Sequence, residues 1–431
     1  MQKNRASQSS GNKTDKTEQQ LVIRQSAERA DSYLAGWAQQ TMDRINQGEP
    51  CFLVGSYSPG EIFKAMDIPT TNNLGAFYYG GNLISSNDPK AIAVDEEEPF
   101  NLCSKCLPID VPPLERLPKL AGIVTNEYEC IGCTRALQSM VRRHNLPLFL
   151  LESTASPPFY PRYPKWWLNM EDQWDKVFEP ERLDNMVEQI KSLIRFLELA
   201  TGKEFRMNRL VEVLEETNRG AHYIRQARDL IAKTVPFPVG LMDIMKVIGV
   251  WQSQHGDPEV TALMKTFYEE VQDRVNNGQA VCKQEKLRLQ WVKSWWGKNT
   301  SFYRAFEDKY GAVFGAAWYL STGAEAYARS INDKDPLRAL ASRTLFMGVY
   351  SGPDWDIHLA RLHGIDGAMM HTNQADFVNC YNGFEMGTSR QLHQMAFAAA
   401  GIPMLLIDPA WSMEKVMSEA SRFIETLLMR R

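Results

Sequence analysis

Residues 121–151, AGIVTNEYECIGCTRALQSMVRRHNLPLFLL, decide the fold. Ala121 to Asn126 is a short apolar run with β-branched residues at its centre, which reads as a strand. Arg135 to His144 reads as a helix, and Leu146 to Leu151 as a second strand. Nearly continuous apolar strands separated by a helix suit a parallel sheet, whose crossovers cover both faces. Upstream, Cys51-Phe-Leu-Val-Gly55, followed by Pro59, reads as another buried strand and its turn, and Glu61 to Met66 as the helix after it.

The alternation stops at Ser156–Trp167 (SPPFYPRYPKWW), where four prolines mark an exit from the first unit. Glu181 to Leu199 then places Leu183, Met186, Val187, Ile190, Leu193, Ile194 and Leu197 on one face at the helical period, with Gly202 as the stop. Further helices are predicted over 207–233 and 257–277, separated by Pro236 and Pro238. From about 286 the alternation resumes. Leu287–Val292, Ala312–Trp318, Gly367–His371 and Ile402–Ile407 read as strands, with helices at Ser301–Lys309, Trp355–Leu362 and Arg390–Ala400. The expected fold is α/β: two doubly wound parallel-sheet lobes bracketing a helical segment. The expected units are a disordered N-terminus (1–20), a first lobe (21–165, opening on a weak helical pattern over 21–47), the helical segment (166–283) and a second lobe (284–431).

With 431 residues the chain exceeds one ordinary core. Its 44% apolar and 23% charged content is that of a globular protein, and a net charge of -4 gives no footing for nucleic acid. No apolar run reaches the roughly 18 residues that cross a bilayer. Residues 1–20 are polar and lack the apolar centre of an export signal, which predicts a cytoplasmic chain with reduced thiols.

Four of the seven cysteines form two pairs, Cys103-Ser-Lys-Cys106 and Cys130-Ile-Gly-Cys133. A further one, Cys380, lies in a stretch rich in Asn and Gly. Cys130 and Cys133 follow a predicted strand and precede a helix, and Cys380 follows the strand ending at His371. Loops at the carboxyl ends of parallel strands are where such sheets build their sites. Two facing lobes would bring both loops to one metal centre. The spacing of the two pairs also resembles a zinc ribbon, and it does not choose between zinc and iron–sulfur. Cys51 and Cys282 read as small buried hydrophobes. No Walker phosphate loop, no dinucleotide-binding glycine motif and no H-E-x-x-H pattern is present.

The order of segments resembles the 2-hydroxyacyl-CoA dehydratase and benzoyl-CoA reductase family of iron–sulfur subunits, from about Cys51 to the C-terminus. Gly55-Ser-Tyr-Ser-Pro-Gly-Glu-Ile-Phe-Lys-Ala-Met-Asp is similar to the family's first strand, its turn and the following helix. Asn101-Leu-Cys103-Ser resembles the segment bearing the first ligand, and Cys130, ahead of Asn145-Leu-Pro-Leu-Phe, matches the second by spacing. Phe196–Phe205 and Arg209–Asn218 look typical of the helical segment. Gly364–Asn373 resembles the strand that delivers the third ligand, and Cys380 precedes Gly401-Ile-Pro at close to the family distance.

The resemblance implies a [4Fe-4S] cluster on Cys103, Cys130 and Cys380, with one iron left open. It makes Ser56 a candidate catalytic hydroxyl, since some dehydratase subunits place one there; as a bare sequence feature it is a turn serine capping the next helix. The chain departs from dehydratases at Glu127-Tyr128-Glu129, where they usually carry an Asn pair. It departs again at Lys105-Cys106, and in the longer lead to Cys380 through Gln374–Asn379. An acidic residue after the first helix is missing around Asn72–Leu74. These features look more like the larger cluster-binding subunit of an ATP-dependent benzoyl-CoA reductase, with 2-hydroxyacyl-CoA dehydration as the alternative activity and a non-catalytic metal protein as a third. A low-potential cluster suits reduction of a thioester-conjugated ring. With no Walker motif in this chain, the resemblance implies an acyl-CoA substrate, a related cluster-binding subunit, and ATP-hydrolysing electron-donor subunits fed by ferredoxin.

Overall fold

The computed structural model describes residues 22–55, 58–71, 119–126, 138, 141–142, 144–152, 164–292, 300–317, 327–331, 334–345, 353–371, 383–408 and 411–431. The expected disordered stretch, 1–20, lies outside them. Eight strands are described: β1 (Cys51–Val54), β2 (Thr70–Thr71), β3 (Leu120–Asn126), β4 (Leu148–Leu151), β5 (Leu287–Trp291), β6 (Ala312–Ala317), β7 (Gly367–His371) and β8 (Met404–Ile407). They form two four-stranded sheets of order β2-β1-β3-β4 and β6-β5-β7-β8, with every described pairing parallel. The two sheets therefore share one winding order, and the α/β expectation is met.

Eleven described helices surround them: α1 (Arg24–Asn46), α2 (Gly60–Ala65), α3 (Pro180–Thr201), α4 (Met207–Lys233), α5 (Leu241–Ser253), α6 (Pro258–Asn276), α7 (Glu307–Tyr310), α8 (Pro336–Thr344), α9 (Pro353–Leu362), α10 (Gly383–Ala399) and α11 (Met413–Met429). Helix α3 starts with Pro180 in its first turn and ends at Gly202 in the left-handed region. Its stripe of Leu183, Met186, Ile190, Leu193 and Leu197 is fully buried, each side chain contributing about 1.5–3 kcal/mol.

Helix α4 joins the halves. Its early residues Leu210, Val213 and Leu214 enter the core containing Phe52, Val54, Val124 and α3. Its later residues Ala221, Ile224, Ala227 and Ile231 enter the core containing Leu289, Phe314 and Met369 of the second sheet. At about 1.5 Å per residue this helix is some 40 Å long, enough to span both. Helix α1 buries Ala30 and Leu34 in the second of these cores, beside α5 and α6. Helix α8, although late in the chain, packs on α3 in the first.

Two local expectations need correction. Ser301–Lys309 is a 3-10 turn (Thr300–Arg304) followed by the one-turn helix α7. The adjacent Phe302 and Tyr303 both turn inward against Trp291 and Phe314. Helix α5 was not expected. Its apolar residues lie nearly all round, because α5 is packed by α1, α6 and β6 together.

Candidate functional site

In each sheet the winding reverses between two central strands, β1 and β3 in the first and β5 and β7 in the second. Connections leave such a pair in opposite directions, so a crevice opens beyond its carboxyl ends, where parallel sheets hold their ligands. Three of these four strands end on a polar or aromatic residue, Asn126, Trp291 and His371, and β1 ends on Val54; all but His371 are buried.

At the first crevice, the Gly55 amide donates to the Val124 carbonyl at 2.8 Å. Asn126, fully buried at the end of β3, donates from Nδ2 to Ser58 Oγ at 3.3 Å. The turn after β1 is thus tied to the strand that leads to Cys130. At the second crevice, the Val292 amide donates to the Met369 carbonyl at 2.9 Å. The Trp291 and His371 rings meet edge to face with centroids 5.0 Å apart. His371 ends the strand that leads to Cys380.

Ser56, Cys103, Cys130 and Cys380 lie outside the described residues, as do Cys106 and Cys133. What is described is the framework that carries them. Ser56 directly follows the end of β1 at Gly55. Cys130 follows Asn126 by four residues, and Cys380 follows His371 by nine. All three follow switch-point strands in sequence. Cysteine thiolates are donors of the kind a [4Fe-4S] cluster takes. Among the described residues no group of three or more His, Cys, Asp or Glu could hold a metal. Cys51 is fully buried, and burial pushes its thiol up to about 12, so it remains protonated. Cys282 is partly buried and its thiol is also raised, chiefly by burial.

Sequence reading missed a charged junction beside the first crevice. Glu61, in the first turn of α2, is buried, and its Oε1 lies 3.6 Å from Nδ1 of the mostly buried His255 and 4.0 Å from Nε of the buried Arg343. Burial raises the Glu61 carboxyl against the pull of Arg343 and Arg329. Burial, and then Arg343, hold the His255 imidazole well below its usual value. These side chains come from three distant stretches and no local motif marks them. Asn126 did leave a signal, a polar residue closing an apolar run.

The family model described as 2-hydroxyglutaryl-CoA dehydratase, D-component, matches residues 55–427. Spanning most of the chain, the match shows that this protein belongs to that family of acyl-CoA dehydratase components. It is similar to the (R)-2-hydroxyisocaproyl-CoA dehydratase alpha subunit of Clostridioides difficile, at 23% identity over 225 residues. That alignment covers 51% of this chain and spans about half, 49%, of the relative. Among the described residues no helix is long and apolar enough to cross a membrane.

Proposed function

We propose that the chain is a cluster-binding subunit of a 2-hydroxyacyl-CoA dehydratase, removing water from an (R)-2-hydroxyacyl-CoA thioester. What supports this reading is the order of the chain, in which Ser56, Cys130 and Cys380 come after the switch-point strands β1, β3 and β7. Family membership supports it. Cys103, Cys130 and Cys380 would hold a [4Fe-4S] cluster. Such a cluster would supply electrons at very low potential and one open iron to polarise the thioester carbonyl.

The residues of this chain would do the rest. The Ser56 hydroxyl would hydrogen-bond near the thioester carbonyl. The Ser58–Asn126 contact would fix the turn on which Ser56 stands. A related subunit would complete the site, and a separate ATP-hydrolysing component fed by ferredoxin would deliver the electron. That electron is returned at the end of each turnover, so dehydration needs no net reductant.

Reduction of benzoyl-CoA is the second reading, favoured by Glu127-Tyr128-Glu129 immediately before Cys130 in place of the Asn pair usual in dehydratases. The deciding experiment is anaerobic co-purification with the partner subunits, followed by assay of (R)-2-hydroxyacyl-CoA and benzoyl-CoA with the ATP-dependent donor. Formation of an enoyl-CoA with catalytic reductant supports the dehydratase. Stoichiometric reductant consumption with benzoyl-CoA, and no dehydration, establishes the second reading. Iron content and brown colour should be lost in Cys103→Ala, Cys130→Ala and Cys380→Ala, and wild-type iron in any one removes that residue from the ligand set.

A further inference from the structure

Glu61 belongs to the helix that follows switch-point strand β1 and shares the first core with α8, which carries Arg343 in its last turn, whereas His255 meets Trp251 of the second core edge to face. Arg343 ends α8, and Arg329 lies just ahead of that helix. Arg329 is fixed there by Nε donating to Ser342 Oγ at 2.9 Å, and its amide donates to Asn218 Oδ1 of α4 at 2.8 Å. His255 comes from the loop between α5 and α6. A carboxylate buried this deeply is costly unless charge or hydrogen bonds meet it. Yet Glu61 Oε1 has no hydrogen-bond partner among the described residues, and neither has His255 Nε2. At 3.6 and 4.0 Å the junction is attractive but not locked, so its energy changes with the spacing of the elements that supply it. Helix α2 has one further tie of this kind, from Lys64 Nζ to Asp257 Oδ2 at 2.7 Å, at the start of α6.

We propose that Glu61 is a positioning residue. Through His255, with Arg343 beside it, it sets how α2 and the first sheet stand against the second core, and so the separation of the carboxyl ends of β3 and β7. The inference rests on the reading in which Cys130 and Cys380, which follow those strands in sequence, ligate one cluster. If thiolates from both lobes meet on one cube of iron and sulfur, the lobe spacing fixes the geometry of that cube, and Glu61 acts on it without touching it.

The test compares wild type, Glu61→Gln, Glu61→Leu and Arg343→Leu in the anaerobically purified complex. Iron content, the EPR spectrum of the reduced protein and hydrogen exchange of the α2 amides are read for each. Glu61→Gln keeps the shape but removes the charge that meets Arg343, and should show the same changes as Glu61→Leu to a smaller degree. Glu61→Leu and Arg343→Leu should retain iron but show a shifted EPR spectrum and α2 exchange faster by roughly tenfold, with the double variant little worse than either, as for coupled neighbours. Wild-type EPR and exchange in Glu61→Leu overturn the proposal. Should Glu61→Leu fail to fold, Arg343→Lys retracts the charge while keeping it. It should give the same EPR shift at full iron, and a wild-type spectrum overturns the proposal. If wild type itself binds no iron, the thiolate reading falls. The junction is then judged on α2 exchange alone, where faster exchange in Glu61→Leu supports it and unchanged exchange overturns it.

Discussion

His393 Nε2 lies 2.9 Å from Asp356 Oδ2, with both side chains buried, joining α10 to the first turn of α9. Gln290 of β5 reaches the same turn, its Nε2 donating to the Asp356 carbonyl at 3.2 Å. The helix that follows Cys380 in sequence is therefore anchored beside a switch-point strand. Asp356→Ala removes a buried hydrogen bond and should cost about 1–3 kcal/mol. Asp356→Asn keeps an acceptor oxygen and should cost less. Urea unfolding of the three proteins reads the difference, and equal midpoints would show that the pair contributes nothing to anchoring α10.

Much of the fold could be read from periodicity, because CFLV, AGIVTN and GAMMH are continuous apolar runs of the kind strands covered on both faces require. Helix α4 was legible to its ends, 207 and 233. Thr70–Thr71 was not, since a two-residue edge strand has no period to detect. Helix α5 was missed for the opposite reason, being apolar on nearly every side. Of the candidate site, the strands that precede Cys130 and Cys380 were legible, as β3 and β7. The Glu61–His255–Arg343 junction depends on contacts across the whole chain, which a linear pattern does not encode. The same holds for Trp291 against His371.

His363 gives the fold an acid-sensitive point. It is fully buried, and its Nδ1 donates to the Leu359 carbonyl at 2.9 Å. Burial, with Arg228 and Arg288 nearby, lowers its pKa from 6.5 to about 4. A depressed folded value means that stability is complete above pH 6.5 and is lost as pH falls from 6.5 towards 4. The full loss is about 3 kcal/mol. His363→Asn keeps a donor to the carbonyl without the titration. Thermal midpoints between pH 7 and 4.5 should fall less steeply in His363→Asn than in wild type, and parallel slopes would show that folding does not depress the imidazole's pKa.

Gly220 lies on α4 where Trp251 of α5 crosses it. A Cβ there would stand 2.2 Å from Trp251 Cζ3 and 2.7 Å from Cη2, and the indole is buried. Alanine is worth about 1 kcal/mol over glycine in a helix. Forcing a methyl group into a rigid buried ring costs about 1–3 kcal/mol, and at this closeness the upper end applies. Gly220→Ala should therefore lower stability, and Trp251→Phe in the same chain should recover part of the loss. The check is a double-mutant cycle by chemical denaturation, where additive effects would mean that the ring moves aside without cost.

Cys106 and Cys133 separate one iron–sulfur cluster from a four-thiolate zinc site. Tetrahedral zinc on the two C-x2-C pairs would need Cys103, Cys106, Cys130 and Cys133 equally, and would leave Cys380 without a metal role. A cluster held by Cys103, Cys130 and Cys380 makes the opposite demand, because three thiolates complete its protein ligation and leave the fourth iron open. Cys106→Ser and Cys133→Ser should keep wild-type iron and brown colour under anaerobic purification, while Cys380→Ser loses both. Metal analysis of these three variants, with Cys103→Ser and Cys130→Ser, decides between them. Equal metal loss across all four first-lobe cysteines, with zinc present and Cys380→Ser unaffected, would replace the cluster by a structural zinc site.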